Sequence, residues 1–275
     1  MLKEHPPEYY KYLPLKYLTC SINGPIGVGK SNLAKKMASR LNQIFPPNNN
    51  NIPFAVEFPE NIDWYFLPIY IANQPKYAFP FQLSVLAEQL DTDRNIIAHA
   101  SNGGFSIADR DLIGNIGFAL GNHEWRVDGQ RCIDDEQLDI YMHHLASKQR
   151  FQNDVMIVLD VPMNVAISRM ATRDREGESK YDPNYHAAVN AGFEKALAKY
   201  YKNPVLRIPW AKNYAVPVDA NGDVIVRDPL WERDLSESGA HMLSESQNHK
   251  VEIPDEVIDR ILDDLLKAIE MHRKK

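Results

Sequence analysis

Cysteine is nearly absent: Cys20 and Cys132 are the only two among 275 residues. A disulfide framework is therefore excluded, and free thiols fit a reducing compartment, the cytoplasm first and the mitochondrial matrix as the other. No apolar run approaches the roughly 18 residues of a membrane-spanning helix, so no membrane partner is expected. Met1–Lys16 is rich in Pro, Tyr and Lys and lacks the apolar core of a signal peptide. Basic residues do not predominate, with 31 Lys and Arg against 37 Asp and Glu and a formal charge of -6. Polymeric nucleic acid is held through basic surface, so it is not an expected partner. A small anion is not excluded, because only the local field matters to it. His123, His143, His144 and Cys132 show no zinc-ligand spacing and read as structural residues.

What is present is an alternation of short apolar runs and helical stripes. Tyr17–Ile22, Phe54–Glu57, Phe105–Ala108 and Val155–Leu159 read as strands, with a fifth at Tyr214–Val218. Between them lie helical patterns near Leu33–Leu41, Ile62–Ala72, Phe81–Ala100, Leu112–Leu120, Glu136–Gln149, Met163–Thr172 and Asn184–Lys202. Val257, Ile258, Ile261, Leu262, Leu265, Leu266 and Ile269 form a last stripe. Continuous apolar strands alternating with helices predict an α/β fold with a parallel sheet covered on both faces. Residues 223–252 read as a polar insertion, and nothing splits the chain, so one domain over 1–275 is expected.

Gly24-Pro25-Ile26-Gly27-Val28-Gly29-Lys30-Ser31 matches G-x-x-x-x-G-K-[ST] without a gap. Glycines let the backbone curl until several N–H groups face one anion, at the positive end of the following helix. Lys30 would reach the β- and γ-phosphates and the Ser31 hydroxyl a Mg²⁺ ion, which makes this an ATP-type site. The N-K-x-D motif of GTPases and the L-S-G-G-Q motif of transporter ATPases are both missing. The Val155–Leu159 run leads into Asp160-Val161, not the Asp-Glu pair of such ATPases.

Five further motifs follow. Glu57-Phe58-Pro59-Glu60 stands at a strand end with Trp64 beyond it. Phe79-Pro80-Phe81-Gln82 offers a side-chain amide, whose paired donor and acceptor suit a base edge. Asp109-Arg110 closes the third strand. Arg169, Arg173 and Arg175, followed by Glu178, form a clamp suited to charge on phosphoryl oxygens. Asp219 and Asn221 lie in a turn after the expected fifth strand.

In this order the motifs resemble the deoxynucleoside kinase family and, more distantly, the thymidylate kinases, over roughly Tyr17 to Asp223 plus the C-terminal helix. The resemblance implies a P-loop three-layer fold with about five parallel strands and an Arg-rich lid near 173–181. It implies ATP and Mg²⁺ as cofactors and transfer of the γ-phosphoryl group to a deoxynucleoside 5′-hydroxyl. Glu57 is then the general base, with Glu60 its rival because Phe58 intrudes in the family's Glu-Pro pair. Arg110, Lys30, Arg169, Arg173 and Arg175 stabilise the transferring group, and Asp109 joins Ser31 at the metal. Gln82, Gln89 and Asn115 face the base, Trp64 walls the pocket, Tyr70 and Glu178 serve the sugar, and Asp219 and Asn221 lie against the adenine. Asp111 stands where the family has Ser. A homodimer through paired helices is also implied. Two other readings remain, a monophosphate kinase of thymidylate-kinase type and a non-catalytic subunit of a larger complex.

Overall fold

The computed structural model describes residues 7–48, 50–147, 152–173, 182–211, 215–217, 249–251 and 253–274. Five parallel strands make the central sheet: β1 (Leu18–Asn23), β2 (Ala55–Phe58), β3 (Phe105–Asp109), β6 (Val155–Asp160) and β7 (Val205–Pro209), in the order β2-β3-β1-β6-β7. Between β3 and β6 a small hairpin intervenes, β4 (Arg126–Val127) with β5 (Gln130–Arg131). Its turn residues Asp128 and Gly129 both have positive φ, as a two-residue hairpin loop requires.

Side-chain alternation along each strand divides the core. Cys20 and Ile22 of β1, Phe105 and Ile107 of β3, and Val155, Ile157 and Leu159 of β6 face one layer. That layer is built by α2 (Lys30–Ile44) and the C-terminal helix α9 (Asp255–Arg273), whose apolar stripes bury Leu33, Met37 and Leu41, and Ile258, Leu262 and Leu265. Met156 and Val158 of β6 point the other way. There they meet α4 (Gln74–Ser101), α5 (Leu112–Glu124), α6 (Asp135–Ser147) and α8 (Pro183–Tyr200). Two short helices, α1 (Pro7–Tyr12) and α3 (Phe66–Ala72), and α7 (Met163–Arg173) complete the α-helices described. None of them is long and apolar enough to cross a membrane.

The expected α/β fold with a five-stranded parallel sheet is borne out, with one correction. The run expected as the fifth strand, Tyr214–Val218, contributes only β8 (Ala215–Pro217), which pairs antiparallel with β9 (His249–Val251) outside the main sheet. The sheet's last strand is β7, an edge strand whose alternating exposure puts Arg207 among apolar neighbours and so hides the strand signal. Helix α4 also starts earlier than Phe81. Asn73 caps it by accepting from the Lys76 N–H at 3.2 Å, Pro75 sits in the first turn, and the helix continues through Pro80. The expected lid at 173–181 lies, beyond the backbone of Arg173, outside the described residues. The insertion at 223–252 is described only at β9.

Helices α5 and α8 cross at backbone distance. A Cβ on Gly192 would stand 2.3 Å from the Gly117 carbonyl oxygen, and one on Gly121 would stand 2.6 Å from the Val189 Cα. Glycine within a helix costs about 1 kcal/mol against alanine, so its presence at both facing sites reflects this close approach. Gly192→Ala should therefore lower unfolding free energy by about 1–3 kcal/mol in urea denaturation, where an exposed helical glycine changed to alanine would raise it.

Candidate active site

The carboxyl ends of the parallel strands gather the polar residues, the usual ligand edge of such a sheet. Between β1 and α2 the chain turns through Gly24 (φ +142°), Gly27 (φ +80°) and Gly29 (φ +95°). No side chain fits the first two: a Cβ on Gly24 would lie 2.8 Å from the Leu159 carbonyl oxygen, and one on Gly27 3.0 Å from the Met170 Cβ. Lys30 is buried, and its Nζ donates to the Pro25 carbonyl at 2.9 Å, folding the ammonium over the loop. From α7, Arg169 Nη1 donates to the carbonyls of Trp210 at 2.9 Å and Val28 at 3.3 Å, which brings this arginine to the loop. A cavity of about 380 Å³ opens beside Gly24 and Pro25, between the end of β6 and Asn190 and Glu194 of α8.

Strand β3 places its last carboxylate against the loop. The Ser31 hydroxyl donates to Asp109 Oδ2, and Asp109 Oδ1 is buried with no hydrogen-bond partner. Glu57 of β2 also carries a buried, unpartnered oxygen, Oε1. Burial raises its pKa above the ordinary glutamate value and the Asp109 charge adds to this, while Lys35 pulls the other way. The residues Ser31, Asp109 and Glu57 are thus brought together. An anion cradle faces two carboxylates, with oxygen donors of the kind a hard divalent cation takes.

Arg110 follows with φ at +72°, a left-handed conformation that costs an L-residue about 1–2 kcal/mol. Its N–H still bonds the Ile22 carbonyl at 3.0 Å, extending the β1–β3 ladder, and its side chain is turned into the site. The guanidinium lies 4.7 Å over the Phe118 ring and its Nε donates to Glu60. Glu60 and Glu57 consequently occupy different places, the first against Arg110, the second toward Asp109.

Asp111 has a role that the motifs did not reveal. It caps α5, accepting from the Ile113 and Gly114 N–H groups at 3.0 and 3.2 Å, and it also accepts from Ser21 Oγ at 2.8 Å and Asn23 Nδ2 at 3.1 Å. Its side chain is the polar joint between β1 and α5, and burial raises its pKa despite those donors. A capping Asp before a helix is readable in sequence. The second half of the joint, from β1, is not.

Along α4, Gln82 and Gln89 stand two turns apart on its buried face, and Gln82 Oε1 has no partner. Asn115 Nδ2 donates to Gln89 Oε1 at 3.2 Å, and Gln89 Nε2 donates to Asp93 Oδ1 at 2.8 Å. The three expected base-facing residues are therefore buried on α4 and α5; Asn115 and Gln89 are bonded directly, and Gln89 also reaches a carboxylate, Asp93, that sequence reasoning missed. Tyr70 is placed differently from the expectation. Its hydroxyl donates to Asn122 Oδ1 at 3.0 Å and lies 2.6 Å from the Tyr185 hydroxyl, while its ring stacks on Phe81 at 4.6 Å. Tyr70 has only 1% of its surface exposed, with its hydroxyl held by these two partners. Trp64 is 54% exposed. Arg175, Glu178, Asp219 and Asn221 lie outside the described residues, as does the Arg173 side chain.

A glycine cradle at the end of β1, a lysine and a serine opening α2, and an acidic β3 tip define a P-loop nucleotide-binding protein. Comparison with known proteins narrows the class. The family model described as deoxynucleoside kinase matches residues 20–227. The chain belongs to the deoxynucleoside kinase family, whose members are ATP-dependent phosphotransferases. It is 23% identical to a deoxyadenosine/deoxycytidine kinase of Bacillus subtilis (strain 168) over 207 residues, 75% of this chain and 86% of that protein. Deoxyadenosine kinase from M. mycoides shares the fold. Its structure with bound dATP matches at a TM-score of 0.56 and 21% identity, over 70% of this chain and 90% of that one. The same enzyme with bound dCTP matches at 0.55 and 19%, over 74% and 93%.

Loss of the Asp111 carboxylate would leave several buried donors unpaired, each costing about 1–3 kcal/mol. Asp111→Ala should accordingly lower unfolding free energy by at least about 2 kcal/mol, measured by chemical denaturation, with Asp111→Asn less harmful.

Proposed function

We propose that this chain transfers the γ-phosphoryl group of ATP to the 5′-hydroxyl of a deoxynucleoside. The observation that carries this reading is the meeting of Ser31, Asp109 and Glu57 at the mouth of the glycine cradle. The dATP and dCTP bound by the M. mycoides enzyme are ligands of the same chemical class.

ATP phosphates accept from the N–H groups of Gly24, Ile26, Gly27, Val28, Gly29, Lys30 and Ser31, while Pro25, which has no N–H, shapes the turn. Lys30 turns from the Pro25 carbonyl to the β- and γ-phosphates. Ser31 Oγ and the unpartnered Asp109 Oδ1 are fitting ligands for Mg²⁺, which when bound with ATP offsets charge on the phosphate oxygens. Glu57 accepts the proton of the attacking 5′-hydroxyl, and its raised pKa suits that task near neutral pH. Glu60 holds Arg110, and Arg110 steadies the acceptor end. This division favours Glu57 over Glu60 as base. Arg169, Arg173 and Arg175 complete the clamp, with Glu178 at the sugar and Asp219 and Asn221 at the adenine. Gln82, Gln89 and Asn115 read the acceptor base, with Trp64 as a wall of the pocket. One kinase domain over 1–275, assembled as a homodimer, accompanies this reading.

A monophosphate acceptor would need a further cation for its own phosphate. Arg110, the residue nearest that task, is already matched by Glu60. A non-catalytic role is disfavoured by the retention of Lys30, Ser31, Asp109 and Glu57 together.

Turnover of deoxynucleosides, and not of their monophosphates, is expected in a phosphorylation panel with ATP and Mg²⁺. Glu57→Gln should lower kcat by about 10²- to 10⁴-fold with ATP affinity retained. Lys30→Ala should instead weaken ATP binding, read by calorimetry. The acid limb of kcat/KM should lie above the ordinary glutamate range, because Glu57 must be ionised to act and its pKa is raised. That limb should vanish in Glu57→Gln.

A further inference from the structure

Asp93 is a buried carboxyl on α4, one helical turn beyond Gln89, and the mechanism above makes no use of it. It is joined to the acceptor pocket by two hydrogen bonds in series: Asn115 Nδ2 donates to Gln89 Oε1, and Gln89 Nε2 donates to Asp93 Oδ1. A side-chain amide turned about its last bond exchanges donor for acceptor with little change in shape. Something must therefore decide which way Gln89 and Asn115 face.

An ionised carboxylate only accepts. It draws Gln89 Nε2 toward itself, leaves Gln89 Oε1 for Asn115, and commits Asn115 to donating with Nδ2. Asn115 Oδ1 is then the atom turned away from Gln89, and Gln82 Oε1, two turns before Gln89, is unpartnered. The face offered to a base is thus rich in acceptors. Adenine and cytosine present an exocyclic amino group as donor, where guanine and thymine present a carbonyl oxygen at the corresponding position.

We propose that Asp93 is a positioning residue that orients the Gln89 and Asn115 amides, and thereby selects a deoxynucleoside whose base carries an exocyclic amino group there. The proposal rests on the kinase reading and adds the substrate class to it. Protonated Asp93 could donate to Gln89 Oε1, reversing both amides and presenting a donor in place of an acceptor. Burial pushes the Asp93 pKa up to about 7, its bond from Gln89 opposes this, and the charge of Asp111 on α5 adds to the rise. Among the described residues no other charge acts on it. Glu88, Asp91 and Arg94 of α4 are exposed on the opposite side. The reversal therefore falls within the pH range of an ordinary assay.

The test is the ratio of kcat/KM for deoxyadenosine and deoxycytidine over that for deoxyguanosine and thymidine, measured from pH 6 to 8.5. In the wild-type chain the ratio should be high at pH 8.5 and fall about tenfold or more toward pH 6. In Asp93→Asn, which has no titration, it should be flat with pH. Combining Asp93→Asn with Gln89→Leu should lower the ratio no further than Gln89→Leu alone, because both act through one chain of bonds. A wild-type ratio that is flat with pH, or an Asp93→Asn ratio that still falls toward pH 6, would overturn the proposal. The wild-type profile decides the matter even where the variant folds poorly. Absence of phosphorylation on all four deoxynucleosides would instead overturn the kinase reading itself.

Discussion

The parallel pairing of β1 with β3, with Ile22 opposite Asp109, is the constraint on which the site depends. It brings the end of the strand that feeds the phosphate loop beside the strand that delivers an acidic tip. Ser31 reaches Asp109 because α2 leaves β1 at that place. The Arg110 N–H bonds the Ile22 carbonyl and continues the same ladder one residue into a left-handed turn. Asp111 then locks the far side by accepting from Ser21 and Asn23 of β1 while capping α5. A one-residue slip in this register would send Asp109 to the opposite face of the sheet, and the cap, the ladder and the acidic tip would be lost together.

That arrangement sets like charges close to one another. The Asp109 charge raises the cost of ionising Glu57, and both carboxylates lie against a loop built for anions. The burden is relieved by neighbours of opposite sign, Lys35 near Glu57 and the Lys30 ammonium folded over the loop. Nucleotide binding with a divalent cation would rearrange the balance without adding residues. The overall charge of -6 therefore has little bearing on the site, where a few cations and two carboxylates set the local field.

Much of this was legible in the chain itself. The loop Gly24–Ser31 is contiguous, so its chemistry is written in adjacent residues. The buried strands β1, β3 and β6 are continuous apolar runs and show themselves as such. Strand β7 escaped because an edge strand needs only half its positions apolar, and Arg207 interrupts the run. The start of α4 was hidden by Pro75 and Pro80, which read as breakers although the first lies where proline is tolerated and the second is carried by its surroundings. Tyr70 and Asp93 were illegible for another reason. One has its hydroxyl consumed by Asn122 and Tyr185, the other is joined to Gln89 and through it to Asn115, and these partnerships exist only after folding.

The glycine crossing of α5 and α8 has a consequence for how such a pocket can change. Where two backbones touch, neither helix can shift or gain bulk without separating the pair, so α5, with Asn115 on it, is a fixed wall. Helix α4 opposite it carries Gln82, Gln89 and Asp93 as side chains on one face, each replaceable without moving a backbone. New substrate preferences in this lineage should therefore accumulate on one wall of the pocket while the other stays as it is, a division of labour between a rigid template and an adjustable one.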